Sequence, residues 1–219
     1  METETTNAAP DAASALRHAY QRHIVTKGRR PKSIAKFCMK QDLSEKDFYV
    51  AYASFEQLEE DTWVQLLHQT LNTLAQDETY KTYSVREKLL SFYFTFFQEA
   101  QAQRSYFKWT SGDLRDPKLL KNKKFKEHLM QYFQDLTEEG VDSNEIQARW
   151  QLERQYPHAA WVQFLFLLNF WLQDQSAGFT DTDMAIEKSV RWVFDLTGPS
   201  GIDSGIDLVK FLFRQIKMA

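Results

Sequence analysis

The chain has 219 residues, 43% apolar and 26% charged, with a formal net charge of -3; this is enough apolar material for a globular core. Its single cysteine, Cys38, excludes an internal disulfide or a multi-cysteine metal centre. The longest nearly apolar run, 159–172, carries Gln163 and Asn169 and is shorter than the roughly 20 residues of a membrane span, so no segment is expected to cross a bilayer.

Residues 1–10 are acidic and small, without the features of a secretory signal, and are expected to be a disordered leader on a cytoplasmic protein. Seven glycines and five prolines gather between long segments and no strand-like alternation stands out, so the fold class is expected to be all-α. Helices are predicted over 11–26, stopped by Gly28, and over 31–41 with Pro31 in the first turn. A short third helix begins at the N-cap Ser44, and a long fourth runs from Ser54 to 75. The next, 84–104, is apolar around much of its circumference. Asp116-Pro117 opens a helix ending near Gly140, a shorter segment spans 144–155, and Pro157 opens an apolar helix to 173. "TDTD" at 180–183 reads as a capping box for a helix to 196. A last helix is predicted over 202–217.

Between Arg17 and Asp47 lie nine basic and three acidic residues, so a head with a charge of +6 adjoins a remainder with -9. A basic module on an acidic body points to a polyanionic partner for the module. Within it, Ile34, Phe37 and Leu43 are placed to lock the second and third helices around Phe48, which is how a helix-turn-helix is held. Such a motif turns the first residues of its second helix toward base edges and lets flanking groups meet phosphates. The DNA-binding candidates are accordingly Arg29, Arg30 and Lys32 for the backbone, and Ser44, Glu45, Lys46 and Tyr49 on the third helix. Glu45 is a candidate base reader, because a carboxylate accepts from the cytosine amino group.

Ile34-Ala35, Leu43-Ser44, Phe48-Tyr49, Tyr52 and "SFEQL" at 54–58 resemble the N-terminal module of TetR-family transcriptional regulators, and the layout of the rest of the chain is similar. The resemblance implies an N-terminal three-helix helix-turn-helix head (11–55) and a C-terminal helical bundle (56–219) that binds a small apolar ligand and dimerises. It also implies double-stranded DNA as a partner, with a bound ligand changing the separation of two heads. Phe55 stands where the family tends to place a phosphate-contacting lysine, and the usual glycine of the turn is absent.

For the body, Phe92, Phe96, Trp109, Tyr132, Phe133, Trp150 and Phe166 are the ligand-lining candidates, although an aromatic stripe at helical spacing is more often plain core. The homodimer surface is expected within 157–196, since the first helix there is apolar nearly all round. No catalytic residues and no cofactor are expected: phosphate-cradling and nucleophile motifs are missing, and His18, His23, His68, His128 and His158 show no metal-ligand spacing. Cys38 reads as a packing residue, with Lys36 and Lys40 near enough in sequence to lower a thiol pKa. A second reading is a lipid- or hydrophobe-binding protein of the same fold that does not bind DNA, similar to the lipid-binding proteins of ubiquinone biosynthesis; "FWLQDQSAGF" at 170–179 carries that likeness.

Overall fold

The computed structural model describes residues 8–112, 118–147 and 155–197. Among them are nine α-helices and no strand: α1 (Ala8–Lys27), α2 (Ile34–Gln41), α3 (Glu45–Ala51), α4 (Phe55–Gln76), α5 (Val85–Gln101), α6 (Arg104–Ser111), α7 (Lys123–Asp142), α8 (Tyr156–Gln173) and α9 (Thr180–Thr197). Short 3-10 turns at Glu78–Thr82, Lys118–Lys121 and Ala177–Phe179 lie between them. The helix expected over 202–217 falls outside the described residues. None of the described helices is long and apolar enough to cross a membrane.

Serine side chains set where most of the early helices begin. Ser33, Ser44, Ser54 and Ser84 each accept a hydrogen bond at 3.3 Å from the backbone N–H three residues on, satisfying a donor with no partner inside the helix. At Ser84 the box closes reciprocally, because Glu87 Oε2 accepts from the Ser84 N–H at 2.8 Å. Ser33 explains a correction: α2 opens at Ile34 rather than at Pro31, since the residue that caps must itself stay extended (φ -157, ψ 153).

Other boundaries also differ from expectation. The helix predicted over 84–104 ends at Gln101, and α6 restarts at Arg104; with neither glycine nor proline at 101–104, composition does not signal that break. The helix predicted from Asp116-Pro117 opens at Lys123 instead, because Asn122 caps it, its Oδ1 accepting from the Phe125 N–H at 3.0 Å. Gly140 does not end α7, which runs on to Asp142. A Cβ at Gly140 would come within 2.6 Å of Ile146 Cδ1, so that glycine makes room for packing. The "TDTD" box is not the cap of α9. Asp174, in the preceding loop, does that work: its Oδ2 accepts from the Thr182 N–H at 2.9 Å and from the Thr182 hydroxyl at 2.5 Å.

The chain divides into two compact units. The first runs to Leu66 and takes in Ala100–Phe125; the second comprises Leu67–Glu99 and the residues from Lys126 on. The boundary expected at 55/56 thus falls at the start of α4, whose first half belongs to one unit and second half to the other. The first unit buries Leu16, Tyr20 and Ile24 of α1 against Phe37, Phe48, Phe55 and Leu58, with Tyr106 and Phe107 of α6 completing the core. In the second, Phe92, Phe96 and Phe97 of α5, Leu129 and Phe133 of α7, Phe164 and Trp171 of α8, and Ile186 and Val190 of α9 are buried. Ring contacts of 5.9 Å (Phe92–Phe133), 5.2 Å (Phe96–Phe164) and 5.5 Å (Phe97–Trp171) join its helices.

Candidate nucleic-acid interface

The second and third helices of the head meet through aromatic rings. Phe48, on α3, is fully buried and faces Phe37 of α2 at 6.5 Å and Phe55 of α4 at 5.4 Å. Phe55 also touches Phe37 at 5.6 Å and stacks on Tyr20 of α1 at 5.2 Å. Ile34 and Leu43, expected to share this lock, are only half-buried, while Cys38 is 1% exposed. Cys38 is a packing residue, and its thiol pKa is raised, by burial and then by Glu45 and Asp47. The lowering that neighbouring lysines were expected to cause is not the net result.

The turn between α2 and α3 is made without glycine. Asp42 takes the left-handed conformation (φ 54) and its N–H bonds the Cys38 carbonyl, a C-cap that aspartate tolerates better than most residues. Tyr52 then closes α3, its own N–H bonding Phe48 O at 2.7 Å. Its hydroxyl donates to Asp61 Oδ2 at 2.7 Å and accepts from Arg17 Nη1 at 2.8 Å. Arg17 and Asp61 are themselves ion-paired at 2.8 Å. Burial and the Asp61 carboxylate push the Tyr52 phenol up, so it stays a donor to that carboxylate. α3 is therefore tied at its C-terminal end to both α1 and α4.

What this scaffold leaves outside is the N-terminal and outer face of α3. Ser44, Glu45, Lys46 and Asp47 are exposed, as are Tyr49 (56%) and Val50 (71%). The Ser44 oxygen serves as the cap of its own helix. Arg29, Lys32, Lys36 and Lys40 are exposed as well. The His23 imidazole pKa is lowered, by burial and then by Lys27 and Lys40.

Arg30 stands apart from the other basic candidates. Its Nε and Nη2 reach Glu59 at 3.1 and 2.8 Å, its Nη1 pairs with Glu56, and the Tyr20 hydroxyl donates to the same Glu59. Glu59 is 8% exposed, and a carboxylate that deep needs its cation. Phe55 is a departure from the family pattern that the structure accounts for. It occupies a phosphate-facing place in the resembled pattern, yet here it is 7% exposed and part of the aromatic lock.

The body candidates separate when placed. Phe92, Phe96 and Phe133 are at most 2% exposed and packed ring to ring. Tyr132 exchanges a hydrogen bond of 3.0 Å with the Tyr80 hydroxyl. Trp109 belongs to the first unit, its indole N–H donating to the Gly28 carbonyl at 3.3 Å. Phe166 is 54% exposed, and Trp150 lies outside the described residues. An apolar pocket of about 50 Å³ does open in the second unit between α5, α7, α8 and α9. Of the described candidates it is lined by Phe133 alone; Val85, Leu89, Leu136, Ile146 and Tyr156 are among its other walls. Gln163 and Asn169, the polar breaks in α8, bond to Ser189 and Gln173 at 3.0 and 2.8 Å. Among the described residues, no three His, Cys, Asp or Glu side chains gather to hold a metal.

A helix-turn-helix head with an outward third helix, followed by a bundle of long helices, defines a class of two-domain helical proteins. Residues 88–212, more than half of the chain, match the family described as "Tetracyclin repressor-like, C-terminal domain", and the chain belongs to that TetR family. Solved structures share the fold. A putative TetR-family transcriptional regulator from Syntrophomonas wolfei str. Goettingen has a TM-score of 0.67 at 13% identity, over 84% of this chain and 95% of its own. A bacterial regulatory protein in the tetR family from Rhodococcus RHA1 has a TM-score of 0.55 at 17% identity, over 88% and 98%. A putative tetR family transcription regulator from Shewanella sp. PV-4 has 0.54 at 14%, over 82% and 95%. No curated protein matches by sequence.

Proposed function

We propose that this protein is a homodimeric regulator of transcription that reads double-stranded DNA with α3. The observation that carries the reading is the exposed face of Glu45, Lys46, Tyr49 and Val50 on a helix anchored from behind by Phe48 and at its end by Tyr52. A helix placed in the major groove needs its outer side chains free and its axis fixed. Lys46 and Tyr49 take contacts at the base edges and nearby phosphates, Glu45 accepts from cytosine, and Val50 offers an apolar contact for a thymine methyl. Arg29 and Lys32 take the phosphate backbone. Arg30 acts from inside, holding the loop that carries them against Glu59.

The dimer forms through α8 and α9. Large apolar side chains stay exposed there: Phe166 at 54%, Met184 at 48% and Trp192 at 42%. Covering such a surface with its own copy presents two heads to an inverted repeat. An apolar effector acts at the pocket beside Phe133. At about 50 Å³ that pocket is smaller than the roughly 150 Å³ cavity that holds benzene, so binding there requires the walls to part.

A mobility-shift assay on fragments of the source genome tests this reading. Sequence-selective complexes are expected that weaken steeply as salt rises, with Lys46→Ala losing selectivity and Arg29→Ala losing affinity on all sequences. Complexes that ignore sequence, or none at low salt, would contradict it.

A further inference from the structure

Five histidines scattered in sequence give no metal motif, but the fold of the second unit brings two of them together. His68, in the second half of α4, and His128, on α7, are 60 residues apart, and His68 Nε2 lies 2.9 Å from His128 Nδ1. His68 is half-buried and His128 exposed. One ring nitrogen of each side chain points at the other. As a hydrogen bond the arrangement holds one proton between two bases. The same spacing suits an ion. Imidazole nitrogens bind a divalent transition metal at about 2.0–2.1 Å, and two such ligands at about 90° around one ion lie about 2.9 Å apart.

We propose that His68 and His128 form a two-histidine surface site for a divalent transition ion of the imidazole-seeking class, Cu²⁺, Ni²⁺ or Zn²⁺. Among the described residues no third His, Cys, Asp or Glu joins them, and the proposed site has two protein ligands with its other positions taken by water. A site with few protein ligands and open positions suits Cu²⁺ and Ni²⁺, which accept tetragonal or square geometry, better than the closed tetrahedral cage of structural zinc. The two ligands come from different helices, so a bound ion clamps the second half of α4 to α7. Binding adds stability only to the folded state. The site stands whether or not the head reads DNA.

Isothermal titration of the full chain with CuCl₂ and with NiCl₂ tests the site, alongside His68→Ala, His128→Gln and the double variant. Circular dichroism establishes that each variant is folded. One saturable ion per chain is expected, weakened at least about tenfold in either single variant, the lower end of the loss from disturbing even the outer shell of a metal site. The thermal midpoint of the parent chain should rise with added ion, and that of the double variant should not. Paramagnetic broadening by Cu²⁺ of backbone amides around 68 and 128 gives an independent location. Binding of equal affinity in parent and double variant, broadening centred on His18, His23 or His158, or no saturable binding at all would each overturn the proposal.

Discussion

Phe55 and Arg30, both set among basic or exposed residues of the head, are held inside it. Phe55 touches Tyr20, Phe37 and Phe48, so Phe55→Lys should not restore a phosphate contact. It should instead lower the stability of the head by about 3 kcal/mol or more, the cost of emptying an aromatic site and burying a charge, measured by urea unfolding. A variant of unchanged stability that binds DNA more tightly would show that the ring is dispensable. Arg30→Ala takes the cation from a part-buried pair, with Arg30 34% and Glu59 11% exposed at the side chain, and should cost about 1–2 kcal/mol, between the worth of exposed and buried pairs, whereas Arg29→Ala should leave stability almost untouched. Tyr20 adds to the same cluster, its phenol pushed up by burial and by Glu59. Neither role was legible along the chain. "GRRPKS" reads as uniformly basic surface, and only the return of α4, 29 residues later, supplies the carboxylate that takes one arginine out of it.

At the scale of elements, serine caps made helix starts the most readable feature. Ser44 and Ser54 open α3 and α4 as expected, because a cap is a local event between a side chain and an N–H three residues on. Breaks governed by distant groups were not readable. α9 is capped by Asp174 from across the loop, and nothing in "TDTD" itself announces that. Burial raises the Asp174 pKa, but hydrogen bonds from Ser176 and Thr182 outweigh it and hold the carboxyl at about 2. The folded value lies below the ordinary carboxylate value of about 4. The stability this group contributes is therefore complete above about pH 4 and is lost as pH falls from there through about 2. Asp174→Ala should destabilise the protein by about 1 kcal/mol at neutral pH, the usual worth of such a cap. The gap between variant and parent should close on acidification to about pH 2. A gap of constant size across that range would assign the loss to packing.

For the molecule as a whole, the all-α class and the order of head before body followed from the hydrophobic spacing and from the resemblance carried by residues 34–58. The aromatic residues of the body were less informative, since burial in a ring-packed core and lining of a cavity demand the same residue types at the same spacing. Phe92 and Phe96 went to the core, and the pocket is walled mostly by aliphatic side chains. Placing a charge on the exposed apolar face tests the assembly: Phe166→Glu with Trp192→Glu should give a folded monomer by light scattering, with DNA affinity reduced because each head then binds alone. A dimer that persists through those changes would place the interface elsewhere. If α3 reads sequence, selection of bound duplexes from a random pool by the full chain should enrich an inverted repeat whose half-sites are each relaxed by Lys46→Ala; a pool that stays random after repeated rounds, while the protein remains folded and dimeric, would mean that it does not.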